Sequence, residues 1–218
     1  MKKIIIVIAA LFAGISAFAE EKNITTFFGG GATVPVYRIK VENDGSRLVT
    51  GALTDFSLFH INRSSGLTMK IGLGMGWGTT SDIPLYDKDR KHCFMNDFQC
   101  SVGYAFANTE NTVFSLGALL GAASYDFSGS EKIEYEGKTL SHSNVSGVNL
   151  ELGLEAVFVK RLTEKMHFFA NVDAAYLFGS ETNSYSKEFD DIDYEISFTR
   201  ETEGYFSVLP TIGIYWQF

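Results

Sequence analysis

The sequence predicts an all-β chain: an eight-stranded antiparallel up-and-down transmembrane β-barrel. Three observations predict it. Apolar residues recur at every second position over stretches of ten residues or more, the gaps between these stretches alternate short and long, and the first 19 residues read as an export leader.

The leader comes first. "MKKIIIVIAALFAGISAFAEE" sets Lys2 and Lys3 before an apolar run from Ile4 and closes on Ala17-Phe18-Ala19, the pattern of a secretory signal peptide cut after Ala19. The apolar run is too short for a membrane-spanning helix and is interrupted by Gly14 and Ser16. No cysteine stands at the cut, which argues against a lipid anchor. Residues 1–19 are thus expected to be removed, leaving residues 20–218 as one barrel domain. Beyond the leader no apolar run approaches the length of a spanning helix.

Of 18 Lys and Arg, two fall in the leader, so 16 face 26 Asp and Glu and the formal charge is −10. So acidic a chain is a poor partner for nucleic acid, which rewards a basic surface. Aromatic content is high, with 19 Phe and 10 Tyr, while Pro is scarce at three.

The strands follow in order. In "VNLELGLEAVFV", Val148, Leu150, Leu152, Leu154, Ala156 and Phe158 share one face, and Asn149, Glu151, Gly153 and Glu155 share the other. Phe168, Ala170, Val172, Ala174, Tyr176 and Phe178 repeat the pattern against Asn171 and Asp173. Leu67, Met69, Ile71, Leu73, Met75 and Trp77 do so again against Lys70 and Gly72, Gly74, Gly76 and Gly78. Eight such segments are expected: Ile24–Thr33, Val49–Ile61, Leu67–Thr79, His92–Phe106, Val113–Tyr125, Val145–Lys160, His167–Gly179 and Tyr205–Phe218. Short turns, "NRSSG", "ANTENT" and "LTEK", follow the second, fourth and sixth, and loops of about a dozen residues or more follow the others. That alternation is the plan of an outer-membrane barrel with short periplasmic turns and long external loops. A soluble sandwich or lipocalin-like barrel shares the periodicity, but the gap pattern and the last strand favour the membrane.

In the last strand Phe206, Val208, Pro210, Ile212, Ile214, Trp216 and Phe218 fall on one face. This resembles the C-terminal signature of bacterial outer-membrane proteins, with a final Phe and an aromatic two residues earlier. The resemblance implies that Phe218, Trp216, Ile214 and Ile212 form an assembly signal read by the barrel-assembly machinery. Pro210 cannot donate to the ladder and predicts a bulge or weak pairing. In architecture the chain is similar to the small OmpX, OmpW and OmpA-transmembrane-domain families, and to small spirochaete surface barrels.

Eight strands give an interior that side chains can fill, so a diffusion pore is not expected. Asp55, Lys70, Asp97, Glu151, Glu155 and Asp173 are expected to face this lumen with Gln99 and Asn171, as a structural network in which Lys70, joined by Arg161 near the periplasmic end, is held by carboxylates. A proton or ion path is the sharper alternative. The four glycines Gly72 to Gly78 share one strand face and make room for bulky groups opposite; they are no phosphate loop. Cys93 and Cys100 lie seven apart on one strand, on opposite faces and about 23 Å apart, too far for a disulfide. Ser141-His142-Ser143 is the nearest approach to a hydrolase set, but no acid can be assigned to it and an exposed loop is the plainer reading.

The segment between Gly179 and Gly204 carries eight acids, Glu181, Glu188, Asp190, Asp191, Asp193, Glu195, Glu201 and Glu203, against Lys187 and Arg200. Its alternation suggests strands continuing above the membrane as a hairpin. Asp190, Asp191, Asp193 and Glu195 would offer host proteins or divalent cations a binding surface, or keep an exposed edge soluble. The expected protein is a non-enzymatic, monomeric outer-membrane barrel in contact with membrane lipid, without metal or cofactor, acting as an adhesion or surface protein. OmpW-like transport of small hydrophobic molecules through the wall is the alternative, and an outer-membrane lipid hydrolase a remote third.

Overall fold

The computed structural model describes residues 23–41, 45–83, 91–129, 133–135, 137–140, 142–189, 192–203 and 206–218. The leader and Asp190 and Asp191 lie outside them. Among the described residues twelve strands are present: β1 (Ile24–Thr33), β2 (Val36–Val41), β3 (Gly45–Asn62), β4 (Leu67–Ile83), β5 (Lys91–Asn108), β6 (Thr112–Gly129), β7 (Ile133–Tyr135), β8 (Lys138–Leu140), β9 (His142–Arg161), β10 (Met166–Phe189), β11 (Ile192–Glu203) and β12 (Phe206–Gln217).

Ten of these form one antiparallel sheet that closes on itself through β1 and β12, Thr33 pairing Thr211 and Phe27 pairing Gln217. The sheet is an eight-stave barrel, because the first stave is β1 continued by β2 and the last is β11 continued by β12. β7 and β8 form a separate small hairpin. No helix among the described residues is long and apolar enough to cross a membrane.

The staves are longer than the periodicity indicated. The expected loop after the first strand is instead the β2–β3 hairpin, and the acidic segment is the β10–β11 hairpin, with Gly179 pairing Thr202 and Phe189 pairing Ile192. Backbone polar groups need partners wherever the chain goes, and continuing the ladder supplies them. At the short-turn end, Asn62 Oδ1 accepts from the Ser64 and Ser65 amides at 2.9 and 3.0 Å, and Gly66 takes φ +78°. Its glycine is needed twice over, since a Cβ there would also lie 2.9 Å from the Tyr104 ring.

The outer wall is apolar over a defined height. On β9 the band runs from Val148 to Phe158, with Leu152 and Leu154 54% and 68% exposed. These eleven residues, ten steps at strand rise and tilted as in barrels, span about 25 Å, the hydrocarbon height of such walls. Trp77, Phe94, Tyr176 and Phe178 edge it at one end, and Tyr104, Phe106, Trp216 and Phe218 at the other, all exposed. A continuous apolar belt of this size is stable only against lipid. Beyond it the wall turns polar: Thr182 and Ser184 on β10 meet Thr199 and Ser197 on β11 through hydroxyl contacts of 3.0 and 2.9 Å.

Candidate functional site: a layered lumen and a raised hairpin

Inward-facing side chains fill the lumen in layers. Nearest the short turns, Phe27, Phe59, Phe169 and Tyr215 form an aromatic plug, the Phe169 and Tyr215 rings stacking at 4.0 Å. His167 meets the edge of Phe27 at 5.0 Å. Tyr215 carries the plug into the next layer by a 2.9 Å hydroxyl contact with Ser57.

That layer holds all six charged residues expected to face the lumen. Asp55, Lys70, Asp97, Glu151, Glu155 and Asp173 are each buried. Lys70 pairs with Glu155, which also accepts from Ser101. Asn171 Nδ2 donates to Asp173 Oδ2 at 2.9 Å and to Glu155 Oε1 at 3.5 Å. Gln99 Nε2 and Ser207 Oγ donate to Glu151 at 3.4 and 3.3 Å, and the Tyr37 hydroxyl donates to Asp97 at 2.7 Å. Neutral donors therefore serve Asp97, Glu151 and Asp173, and Glu155 takes the ammonium together with two neutral donors. The expected share of Arg161 is corrected: it lies at the short-turn end, where its Nε donates to the Thr163 carbonyl at 3.1 Å, in register with His167 and away from the belt. A Cβ on Gly72 would make only ordinary contact with the belt, 3.5 Å from Asp55 Oδ2, whereas one on Gly121 would lie 2.7 Å from Glu151 Oε2, so it is Gly121 that gives Glu151 its room.

Above the belt, Tyr37, Ile39, Val49, Leu53, Met95 and Leu177 belong to an apolar cluster. Higher still, Arg47 meets Glu181 at 3.2 Å, the Tyr125 hydroxyl donates to Glu181 at 2.9 Å, and the guanidinium lies over the Phe127 ring at 5.2 Å. Glu181 is fully buried, which corrects its placement among solvated loop acids. Arg47 and Tyr37 also fell in the expected loop and were missed. Parity could have found Arg47 and Glu181. Counting by twos from Asp55 reaches Arg47, and from Asp173 reaches Glu181, on the same inward face.

Cys93 faces the lumen, Cys100 is half-buried on the other face, and both are free. Pro210 keeps its register with Val172 on β10. On its other side the ladder is interrupted between Thr33–Thr211 and Val36–Val208, bridged by the Val34 amide donating to the Pro210 carbonyl at 3.1 Å. That is the weak pairing its sequence implied. Phe218, Trp216 and Ile212 are exposed on the outer face, and Ile214 half-buried there. His142 pairs with Ser186 through its backbone; the side chains of Ser141, His142 and Ser143 lie outside the described residues.

Of the four residues expected to form a surface site, Asp193 and Glu195 lie on β11, in register with Glu188 and Ser186. Among the described residues no group of three or more His, Cys, Asp or Glu is arranged to hold a metal ion.

A closed eight-stave barrel with a lipid-facing band defines a small transmembrane β-barrel of the outer-membrane type. No protein-family model matches the chain, and no curated protein matches it. Among solved structures it is similar to a major outer membrane protein from Thermus thermophilus, at 13% identity and a TM-score of 0.58, covering 89% of this chain and 99% of that one. Looser similarities join it to Ail, the attachment invasion locus protein of Yersinia pestis (11% identity, 91% and 100% covered, TM-score 0.41), and to Neisserial surface protein A (12%, 90% and 98%, 0.44). At these identities the Thermus protein speaks for the fold alone.

Proposed function

We propose that the protein is a non-enzymatic, monomeric surface barrel of a bacterial outer membrane, exported by residues 1–19, that works through its raised β10–β11 hairpin. The observation that carries this reading is the contrast between a packed interior and an extended exterior. Aromatic, charged and apolar layers succeed one another through the lumen. The hairpin meanwhile continues for eleven paired residues of β10 beyond the last apolar position, Phe178, about 35 Å of strand. Keeping so much sheet out of the membrane is a cost with no return for a barrel that only seals lipid. A surface presented to a partner accounts for it.

The hairpin sequence is acidic, with Glu188, Asp190, Asp191, Asp193, Glu195, Glu201 and Glu203 against Lys187 and Arg200 once the buried Glu181 is set aside. Such a field favours a partner rich in Lys or Arg, gaining chiefly in on-rate and weakening as salt rises. Host proteins with basic patches fit, and divalent cations would screen the same carboxylates. Replacing Asp190, Asp191, Asp193 and Glu195 with Asn or Gln should lower binding of cells to immobilised host matrix proteins at low salt, with barrel folding unchanged. Equal binding by variant and parent at low and high salt would reduce the hairpin to a solvated edge. Transport of small hydrophobic molecules draws no support from a lumen this full.

A further inference from the structure

Where the first stave breaks, the outer wall is hollow. Thr33 pairs with Leu53 and Val36 with Thr50, so Val34 and Pro35 stand out of the ladder opposite Gly51 and Ala52. Proline has no amide hydrogen to give, which is why the ladder parts here. Beside the gap the β3 and β4 backbones crowd together: Gly51 lies directly opposite Gly78, and a Cβ on Gly51 would sit 2.6 Å from the Gly78 Cα. Any larger residue would push the staves apart and flatten the wall. The result is an open cavity of ≈ 430 Å³, lined by Val34, Thr50, Trp77, Thr79, His92 and the two glycines.

The register shows what the hollow offers. Val36, Thr50, Thr79 and His92 form one row across β2 to β5. The row two residues nearer the short turns is apolar, Ala52, Trp77 and Phe94, and the row two residues further out holds Arg38, Leu48 and Ser81. The wall thus passes from apolar to polar within the hollow itself. Trp77 is 72% exposed and Val34 54%. Its position decides its occupant: a recess at the upper edge of a lipid-facing band meets the headgroup of a membrane lipid with its chains below. The lining chemistry narrows the headgroup. Two threonine hydroxyls and an imidazole both donate and accept, and among the described residues no Lys, Arg, Asp or Glu lines the cavity. That set suits the hydroxyls of a sugar, and the exposed indole suits a pyranose face.

We propose that this hollow binds the sugar headgroup of a glycolipid in the leaflet at the hairpin end, the ring against Trp77 and its hydroxyls on Thr50, Thr79 and His92. It rests on the membrane position of the wall and is independent of the adhesive reading of the hairpin.

The chain has two tryptophans, Trp77 and Trp216, so Trp216→Phe leaves Trp77 as the sole reporter and keeps an aromatic at the other end. Reconstituted in phosphatidylcholine vesicles, the protein should show a saturable change in Trp77 emission as a monoglucosyl diacylglycerol replaces part of the lipid. Phosphatidylglycerol at equal mole fraction should give none. The triple change Thr50→Val, Thr79→Val and His92→Ala, all on the outer wall, should raise half-saturation about tenfold, a loss of about 1.4 kcal/mol. An alkyl glucoside against an alkyl phosphocholine of equal chain length, added to the parent in detergent, repeats the comparison without depending on how the variant folds. The same response to sugar and phosphate headgroups, or unchanged half-saturation in a folded triple variant, would overturn the proposal.

Discussion

Replacing Lys70 with Met tests the lumen most directly. Lys70 is 2% exposed and, among the described residues, is the one ammonium beside five belt carboxyl groups, Asp55, Asp97, Glu151, Glu155 and Asp173. It pairs with Glu155, itself 3% exposed. At an effective dielectric of about 20, a contact pair is worth about 4 kcal/mol, and breaking a buried pair by removing one partner costs about 3–5 kcal/mol. Ser101 and Asn171 remain as donors to Glu155, so a loss near the lower end, about 3 kcal/mol, is expected. Urea unfolding in detergent micelles, followed by tryptophan emission and by heat-modifiable migration, measures it. The double variant Lys70→Met/Glu155→Gln should recover most of the loss, since no charge is then left without its partner. A single-variant loss below about 1 kcal/mol at neutral pH would refute a dry, paired belt, for only water inside the lumen could screen the pair so well.

Gly147→Ala should cost about 1–3 kcal/mol in the same assay, because a Cβ there meets the Tyr125 ring and displaces the hydroxyl that donates to Glu181; an unchanged midpoint would mean that the upper clasp contributes nothing. Deleting Phe218 should lower the amount of folded protein in outer-membrane fractions severalfold while leaving refolding in detergent intact. Equal amounts would remove Phe218, Trp216, Ile214 and Ile212 from any role in assembly. In planar bilayers no large, stable pore should form, and porin-like current steps would contradict the filled lumen.

Much of this protein is written in its sequence at period two. Pleating is local: successive side chains must point to opposite faces whatever the rest of the chain does. Alternation therefore placed Leu152 and Leu154 on the wall, and Lys70, Glu151, Glu155 and Asp173 in the lumen, before any strand was paired. The glycines Gly72 to Gly78 were legible for the same reason. Pairing across the barrel is a different matter, because it joins residues far apart in the chain and depends on register and closure. The Lys70–Glu155 bond, the Arg47–Glu181–Tyr125 clasp, the withdrawal of Arg161 to the barrel mouth and the hollow beside Trp77 all follow from which stave lies next to which. The segments Val36–Val41 and Gly45–Leu48 read as a loop because they lack the long apolar alternation of the staves, whereas the alternation of Gly179–Glu203 already suggests a hairpin; both are strands because a ladder already begun satisfies each further amide and carbonyl. Sequence alone determined which face each side chain takes, and closure of the sheet decided which faces meet.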